Sequence, residues 1–295
     1  MAPNPTVDVI IPSFNGKYLL EKNLPKVLKN SDYLNQIIVV DNGSTDGSVE
    51  WLTQNYPEII IVKNSSNLGF TKPINQGVSF SKADFLVLMN NDVSPAKDYL
   101  QSAHRFFNDD KVFAVSFNEK KSSWPNVFWK DGKLQFIKGE DKTTPRYSAW
   151  ASGGSAIFKR DIWNKLGGLD EIYAPWYWED IDIGYRAWKT GFKIIWSPES
   201  LVFHEHESTS QKLSPKYVNL IKQRNELIFN WLNIKDKNLT HGHFWFLLKH
   251  TLSHPGYLKI IISALWRILS HRYLPRKFIH TDFEVFNLFS KPLWV

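Results

Sequence analysis

Five apolar residues in a row, Phe85-Leu86-Val87-Leu88-Met89, run directly into the polar triplet Asn90-Asn91-Asp92. A run of that length without alternation predicts a strand buried on both faces, which in turn demands a parallel sheet covered by helices on each side. The triplet then falls at the carboxyl end of the strand, where open α/β sheets bind ligands. One carboxylate, Asp92, beside two amides is half of a site for a divalent cation and an anionic nucleotide. A capped turn after a strand fits the triplet equally well.

The flanking chain repeats the same alternation. Val7-Asp8-Val9-Ile10-Ile11-Pro12 predicts a first strand, Leu20, Leu24, Val27 and Leu28 fall at helical spacing over 18–31, and Gln36–Val40 predicts a second buried strand. Asp41-Asn42-Gly43-Ser44-Thr45-Asp46-Gly47-Ser48 is a polar, glycine-containing loop before a helix with Val49, Leu52 and Tyr56. Ile59–Val62 predicts a third strand, followed by Asn67-Leu68-Gly69-Phe70 and a helix through Ile74, Val78 and Phe80. No G-x-G-x-x-G follows the first strand and no G-x-x-x-x-G-K-[ST] occurs, which argues against dinucleotide oxidoreductases and P-loop NTPases.

Later segments carry further candidates. Val127–Phe136 predicts a hairpin turning at Asp131-Gly132, either an insertion over the site or a surface loop. Gly153-Gly154 allows close backbone approach to a ligand, or a bulge. Glu179 and Asp180 open a helix whose inner face holds Ile181, Tyr185 and Trp188 and which Gly191 ends; there the helix dipole favours their ionised forms. Capping explains an acidic pair at that place, while the neighbouring Tyr173, Trp176, Tyr177 and Trp178 suggest the walls of a sugar site. Asp182 and Arg186, at i and i+4, predict a helix ion pair. Ile194–Trp196 and Leu201–Phe203 predict two short strands, and His204 and His206 beyond them share a face from which both reach one metal.

With 43% hydrophobic residues among 295 the chain buries a sizeable core, yet it is too polar for a multi-span membrane protein. It contains no cysteine, so disulfides, thiolate catalysis and cysteine zinc sites are excluded. Met1–Thr6 has neither a basic nor an apolar signal region, and a cytoplasmic location is expected. Charge is uneven: from Gln211 onward 13 Lys and Arg face 4 Asp and Glu, a net of +9 within a chain total of +7. The expected organisation is therefore a near-neutral domain over 1–210 and a basic helical region over 211–295, with helices at 217–232 and 257–270. In the latter, Leu258, Ile261, Ile262, Leu265 and Leu269 form a stripe that either packs on the body or lies at a membrane surface. No DNA- or RNA-binding module is recognisable, so nucleic acid is not an expected partner.

Taken together, Ile11-Pro12-Ser13-Phe14-Asn15, Val40–Asp46, Asn67-Leu68-Gly69-Phe70, Asn90-Asn91-Asp92, Gly167-Gly168-Leu169-Asp170-Glu171, Trp178-Glu179-Asp180 and His204 resemble family 2 glycosyltransferases of the GT-A fold, in their rhamnosyltransferase-like branch. The match covers about residues 7–210, and Arg224-Asn225 in the tail is similar more loosely. The resemblance implies an inverting transfer from a nucleotide-sugar donor, UDP- or dTDP-linked, to a glycan or lipid-linked saccharide. It implies that Pro12, Ser13 and Asn15 line the base pocket with Asn67 and Gly69, that Asp41 bonds the base, and that Asn90 and Asn91 lie near ribose and sugar. By the same resemblance Asp92 and His204 hold Mn²⁺ or Mg²⁺, Asp180 is the base with Glu179 beside it, and Gly153, Gly154 and Trp178 meet the acceptor. Asn90 stands where the commonest pattern has a carboxylate, so metal and nucleotide are expected to bind together.

The residue chemistry agrees. A divalent cation stabilises a departing diphosphate, and an acceptor hydroxyl needs a carboxylate to take its proton. Two other classes remain open at this point: a sugar nucleotidyltransferase on the same sheet, and a carbohydrate-binding protein without catalysis.

Overall fold

The computed structural model describes residues 5–120, 124–140, 143–205, 214–276 and 278–289. The chain opens as read: β1 (Val7–Ser13), α1 (Lys17–Asn30), β2 (Leu34–Asp41), α2 (Ser48–Asn55), β3 (Ile60–Lys63), α3 (Thr71–Phe80) and β4 (Phe85–Met89). The four strands are parallel in the order β3-β2-β1-β4. Period-two alternation sends Ile10, Ile38, Leu86 and Leu88 into one hydrophobic cluster and Val9, Val39, Val87 and Met89 into the other. Both faces are thus buried, which is why these strands read as unbroken apolar runs.

Beyond Asp92 come β5 (Val93–Pro95), α4 (Tyr99–His104), β6 (Val112–Asn118), β7 (Pro125–Lys130), β8 (Lys133–Lys138), β9 (Arg146–Tyr147), β10 (Ser155–Lys159), α5 (Arg160–Leu166), α6 (Glu179–Lys189) and β11 (Lys193–His204). Here the sheet becomes mixed, because β10 inserts antiparallel between β4 and β6. Two short strands were expected where β11 is a single strand. Its register shifts between Trp196 and Leu201, and the Asn118 amide donates to Pro198 O across the irregularity, so the strand continues. Its far end pairs with β5, His204 opposite Val93, which lays His204 beside Asp92.

The β7–β8 hairpin turns at Asp131-Gly132, both with positive φ (53° and 77°). It does not lie over the cavity described below, since no residue of it lines that cavity. Four C-terminal helices follow, α7 (Pro215–Asn233), α8 (Lys237–Ser253), α9 (Leu258–Ser270) and α10 (Asp282–Leu288), and the hairpin packs instead on α7, α8 and α10. A Cβ on Gly132 would fall 2.5 Å from the Phe246 side chain, and Gly132 O meets His243 Nδ1 at 2.6 Å.

The expected boundary at 210/211 lies outside the described residues, but the helices beyond it share the core of the body. Phe229 of α7 packs between Trp178 and Tyr185, at 5.2 and 5.3 Å. Polar groups bind the same parts. Asp182 of α6, fully buried, is met by Arg186 Nε at 2.7 Å, Arg276 Nη2 at 2.9 Å, Asn233 Nδ2 at 2.8 Å and the Tyr173 hydroxyl at 2.9 Å. Arg276 also reaches Asp170 at 3.1 Å, and Arg186 Nη2 donates to Gly168 O. The predicted Asp182–Arg186 pair therefore exists as one edge of a larger network. Burial alone would raise the Asp182 carboxyl, but the two guanidiniums overcome it and hold it at about 2.

Arg276→Met should cost about 3–5 kcal/mol in urea unfolding, because it takes a shared guanidinium from two buried carboxylates, Asp170 and Asp182. The Asp182 contribution is present above its unfolded value near ~4 and lost as pH falls through about 2. Wild-type stability should therefore decline across that window, and an acid titration of the variant should show the midpoint displaced upward.

Candidate active site

A cavity of about 720 Å³ opens at the carboxyl ends of β1 and β4. It gathers Pro12, Ser13 and Asn15 from the turn after β1, Asn67 and Gly69 from the loop after β3, Asn90, Asn91 and Asp92 after β4, Gly153 and Gly154 before β10, and Glu179 and Asp180 of α6. Of the expected site residues only Asp41, Trp178 and His204 are absent from its lining.

Glycines let the two amides lie flat. A Cβ on Gly16 would sit 2.2 Å from Asn91 Nδ2, which donates to Ser13 Oγ at 3.0 Å; one on Gly154 would sit 2.4 Å from Asn90 Nδ2. Asn15 takes φ 48° and knits the β1 turn to the β2 loop, accepting from Thr45 N at 2.8 Å while its own N–H donates to Ser44 Oγ. Gly69, at φ 85°, is the place where a Cβ would fall 2.2 Å from Pro175 O, and the next amide, Phe70 N, donates to that oxygen at 2.7 Å. The loop after β3 and the 171–178 loop are thereby joined.

Asp41 was expected to face the base. Its Oδ2 is instead taken by the Gly43 and Ser44 amides of its own loop, as short acidic side chains do in turns. Its Oδ1 is buried without a hydrogen-bond partner. Trp178 was expected at the acceptor; positive φ at Tyr177 and Trp178 turns its ring inward onto Phe229, and it is a core residue. Trp176 and Tyr177 line the cavity in its place, while Tyr173 is buried against Asp182.

The 171–178 loop is held from behind. Asn225 Nδ2 meets Tyr173 O, Trp176 O and Tyr177 O at 2.7, 3.1 and 2.8 Å; Arg224 Nη2 donates to Ala174 O, and Arg267 donates to Ile172 O and Glu171 O. These anchors come from α7 and α9.

Both carboxyls at the α6 N-terminus are raised, where the dipole alone would lower them. Burial, then the neighbouring Asp180 charge, pushes the Glu179 carboxyl well above the ordinary range, and its Oε2 has no hydrogen-bond partner. Burial also raises Asp180, to about 6, against the amides of Ile181 (2.8 Å) and Gly153 that favour its charge.

His204 Nε2 lies 3.1 Å from Asp92 Oδ1, and its Nδ1 lies 3.3 Å from Glu119 Oε1, which also receives the Ser155 hydroxyl. Burial disfavours its cation, but the two carboxylates outweigh burial and raise it to about 9. A carboxylate and an imidazole side by side, the imidazole backed by a second carboxylate, suit Mn²⁺ or Mg²⁺. Among the described residues no group of three or more His, Asp or Glu is placed to hold a metal ion by itself. His206 lies outside the described residues. Sequence reading missed Glu119, an isolated acid in a polar stretch.

Residues 8–167, more than half the chain, match the model of glycosyl transferase family 2. The chain belongs to that family. This family 2 glycosyltransferase is 24% identical over 213 residues to the N-acetylglucosaminyl-diphospho-decaprenol L-rhamnosyltransferase of Mycobacterium tuberculosis (strain CDC 1551 / Oshkosh), covering 61% of this chain and 69% of that one. It is 25% identical over 226 residues to the O-antigen chain rhamnosyltransferase WbaN of Salmonella anatum, covering 72% and 70%. In fold it is similar to GalNAc-T7 solved with UDP, GalNAc and Mn²⁺, with a TM-score of 0.65 and 16% identity over 86% of this chain. The GT-A fold expected from the sequence is thus the fold observed. The chain spans 58% of that structure's length, and 25% of the length of a Sinorhizobium fredii relative.

Replacing Asn225 by alanine removes three carbonyl contacts at about 1 kcal/mol each. The variant should lose about 2–3 kcal/mol in urea unfolding, and chymotrypsin should cut at Trp176 or Tyr177 faster than in the wild type; an unchanged cleavage rate would show that the loop does not depend on this anchor.

Proposed function

We propose that the protein transfers a sugar, with inversion, from a nucleoside-diphosphate donor to a hydroxyl of a glycan or lipid-linked saccharide at the cytoplasmic face of a membrane. The observation that carries this reading is that Asp180, a cavity carboxylate raised to about 6, opens into the same cavity as Asp92.

Pro12, Ser13 and Asn15 line the base pocket, and the free Asp41 Oδ1 is the acceptor offered to a base N–H. The resemblance to the rhamnosyltransferase-like branch favours UDP- and dTDP-sugars, rhamnose among the sugars carried. Asn90 and Asn91 serve ribose and sugar hydroxyls. Asp92 and His204 would hold Mn²⁺ or Mg²⁺, which supplies Lewis-acid stabilisation of the departing diphosphate. Trp176 and Tyr177 offer ring faces to the acceptor, with Gly153 and Gly154 giving backbone access beneath it. Asp180 takes the proton of the attacking hydroxyl, with Glu179, raised by burial and by the Asp180 charge, beside it.

Calorimetry with UDP, dTDP, GDP and CMP, with and without Mn²⁺, should show tight binding of a pyrimidine diphosphate only when metal is present; EDTA or Asp92→Ala should abolish the metal-dependent part. Binding of none of the four would remove the donor-site assignment. Asp180→Asn should lower kcat by about 10²–10⁴-fold with nucleotide affinity unchanged. A base must be unprotonated, so kcat/KM should climb with pH up to about 6 and then level, and this limb should vanish in the variant.

A further inference from the structure

Helix α9 is apolar on two sides. Ile260, Ile261, Ala264 and Ile268 face the core, joining the cluster that contains Leu227 and Ile228 of α7. Its outer side is equally apolar: Ile262, Trp266 and Leu269 are 56%, 65% and 85% exposed, with Leu258 and Leu265 on the same turns. Of the five residues in the stripe read from the sequence, only Ile261 packs inward. The preceding helix, α8, adds exposed Trp245, Leu248 and Leu252. A surface helix that packs on the body needs one apolar stripe, not two, and an exposed apolar patch of this extent marks an interaction surface.

The charge around the patch selects the occupant. From Lys237 to Thr281 the sequence has 45 residues with seven Lys and Arg and no Asp or Glu. Lys249, Lys259 and Arg272 are exposed and form no ion pair among the described residues. A second copy docked symmetrically through this face would set these cations against one another. An anionic bilayer satisfies both features, receiving the rings and branched side chains at its headgroup boundary while the lysines stay with the phosphates. Exposed tryptophans suit that depth. Thirteen residues of α9 span about 20 Å, and no helix among the described residues is long and apolar enough to cross a membrane, so the contact is one of lying on the surface.

We propose that the outer face of α9, with the exposed aromatic and leucine residues of α8, is a docking surface for an anionic lipid bilayer. The proposal deepens the transferase reading, on which it rests for its purpose: Arg267 of the same helix anchors the loop that carries Trp176 and Tyr177, so the docked face and the acceptor wall belong to one rigid unit.

The test is flotation of the full chain with vesicles of phosphatidylcholine alone and of phosphatidylcholine with 30% phosphatidylglycerol. Binding should require the anionic lipid and weaken as NaCl is raised. Lys249→Gln and Lys259→Gln should each reduce partitioning about fivefold. Ile262→Asn with Leu269→Asn should reduce it on the order of a hundredfold. Because the chain has no cysteine, Leu269→Cys carrying an environment-sensitive dye reports this face alone; its emission should shift to the blue on anionic vesicles, while the same dye at Glu58→Cys should not respond. Failure of the wild type to float, flotation undiminished in the substituted proteins, or a dimer that Leu269→Asn dissociates in the absence of any vesicle binding would each overturn the proposal. Flotation is read without donor, metal or acceptor, so it fails or succeeds independently of the transfer assignment.

Discussion

A carboxylate shut away from solvent, Asp182, holds α6 to the rest of the molecule. Its four partners come from α6 itself, the loop before it, α7 and the segment before α10. Buried ion pairs seldom add net stability over well-packed apolar replacements, yet removing one member is expensive. The consequence is geometric. With Asp182 fixed in the first turn of α6, the helix N-terminus that carries Glu179 and Asp180 has one position relative to the sheet. Arg276 makes the basic tail a condition of that position, so the tail is part of the site's framework although none of its residues lines the cavity.

At the same N-terminus two electrostatic effects oppose one another, and their sizes decide the outcome. A helix dipole is worth about 0.3–1 kcal/mol to a carboxylate, under one pK unit, whereas burial shifts such a group by up to several units. Burial wins at both residues, and by more at Glu179, whose outer oxygen lacks any donor. Asp180 keeps two amide donors and stays within reach of ionisation. Adjacent carboxyls are thereby raised to different degrees by their surroundings.

Much of this was legible in the residues. The strands β1 to β4 declared themselves because both faces are buried, and the polar groups at their carboxyl ends converge for the same topological reason. The failures have local causes. Trp178 turns into the core because two successive residues adopt positive φ, a backbone choice that no aromatic pattern encodes. The antiparallel insertion of β10 and the pairing of β5 with β11 are long-range choices of partner, invisible to periodicity, and the second is what carries His204 to Asp92. Arg276 was unreadable as a partner of Asp170 and Asp182 for the same reason: proximity there is a product of the fold, not of spacing.

The α9 stripe shows a subtler limit. Helical spacing correctly marked an apolar helix, but spacing cannot say which side the body takes. The body took the side of Ile261 and Ala264, leaving the larger part of the stripe outward. Arg267 explains that choice: its guanidinium must reach Ile172 O and Glu171 O, and satisfying those carbonyls fixes the rotation of the helix. Once that rotation is set, Ile262, Trp266 and Leu269 have no alternative to the surface. The cavity wall of Trp176 and Tyr177 and the exposed apolar face are thus tied together by the pairing of Arg267 with the backbone of the loop it supports.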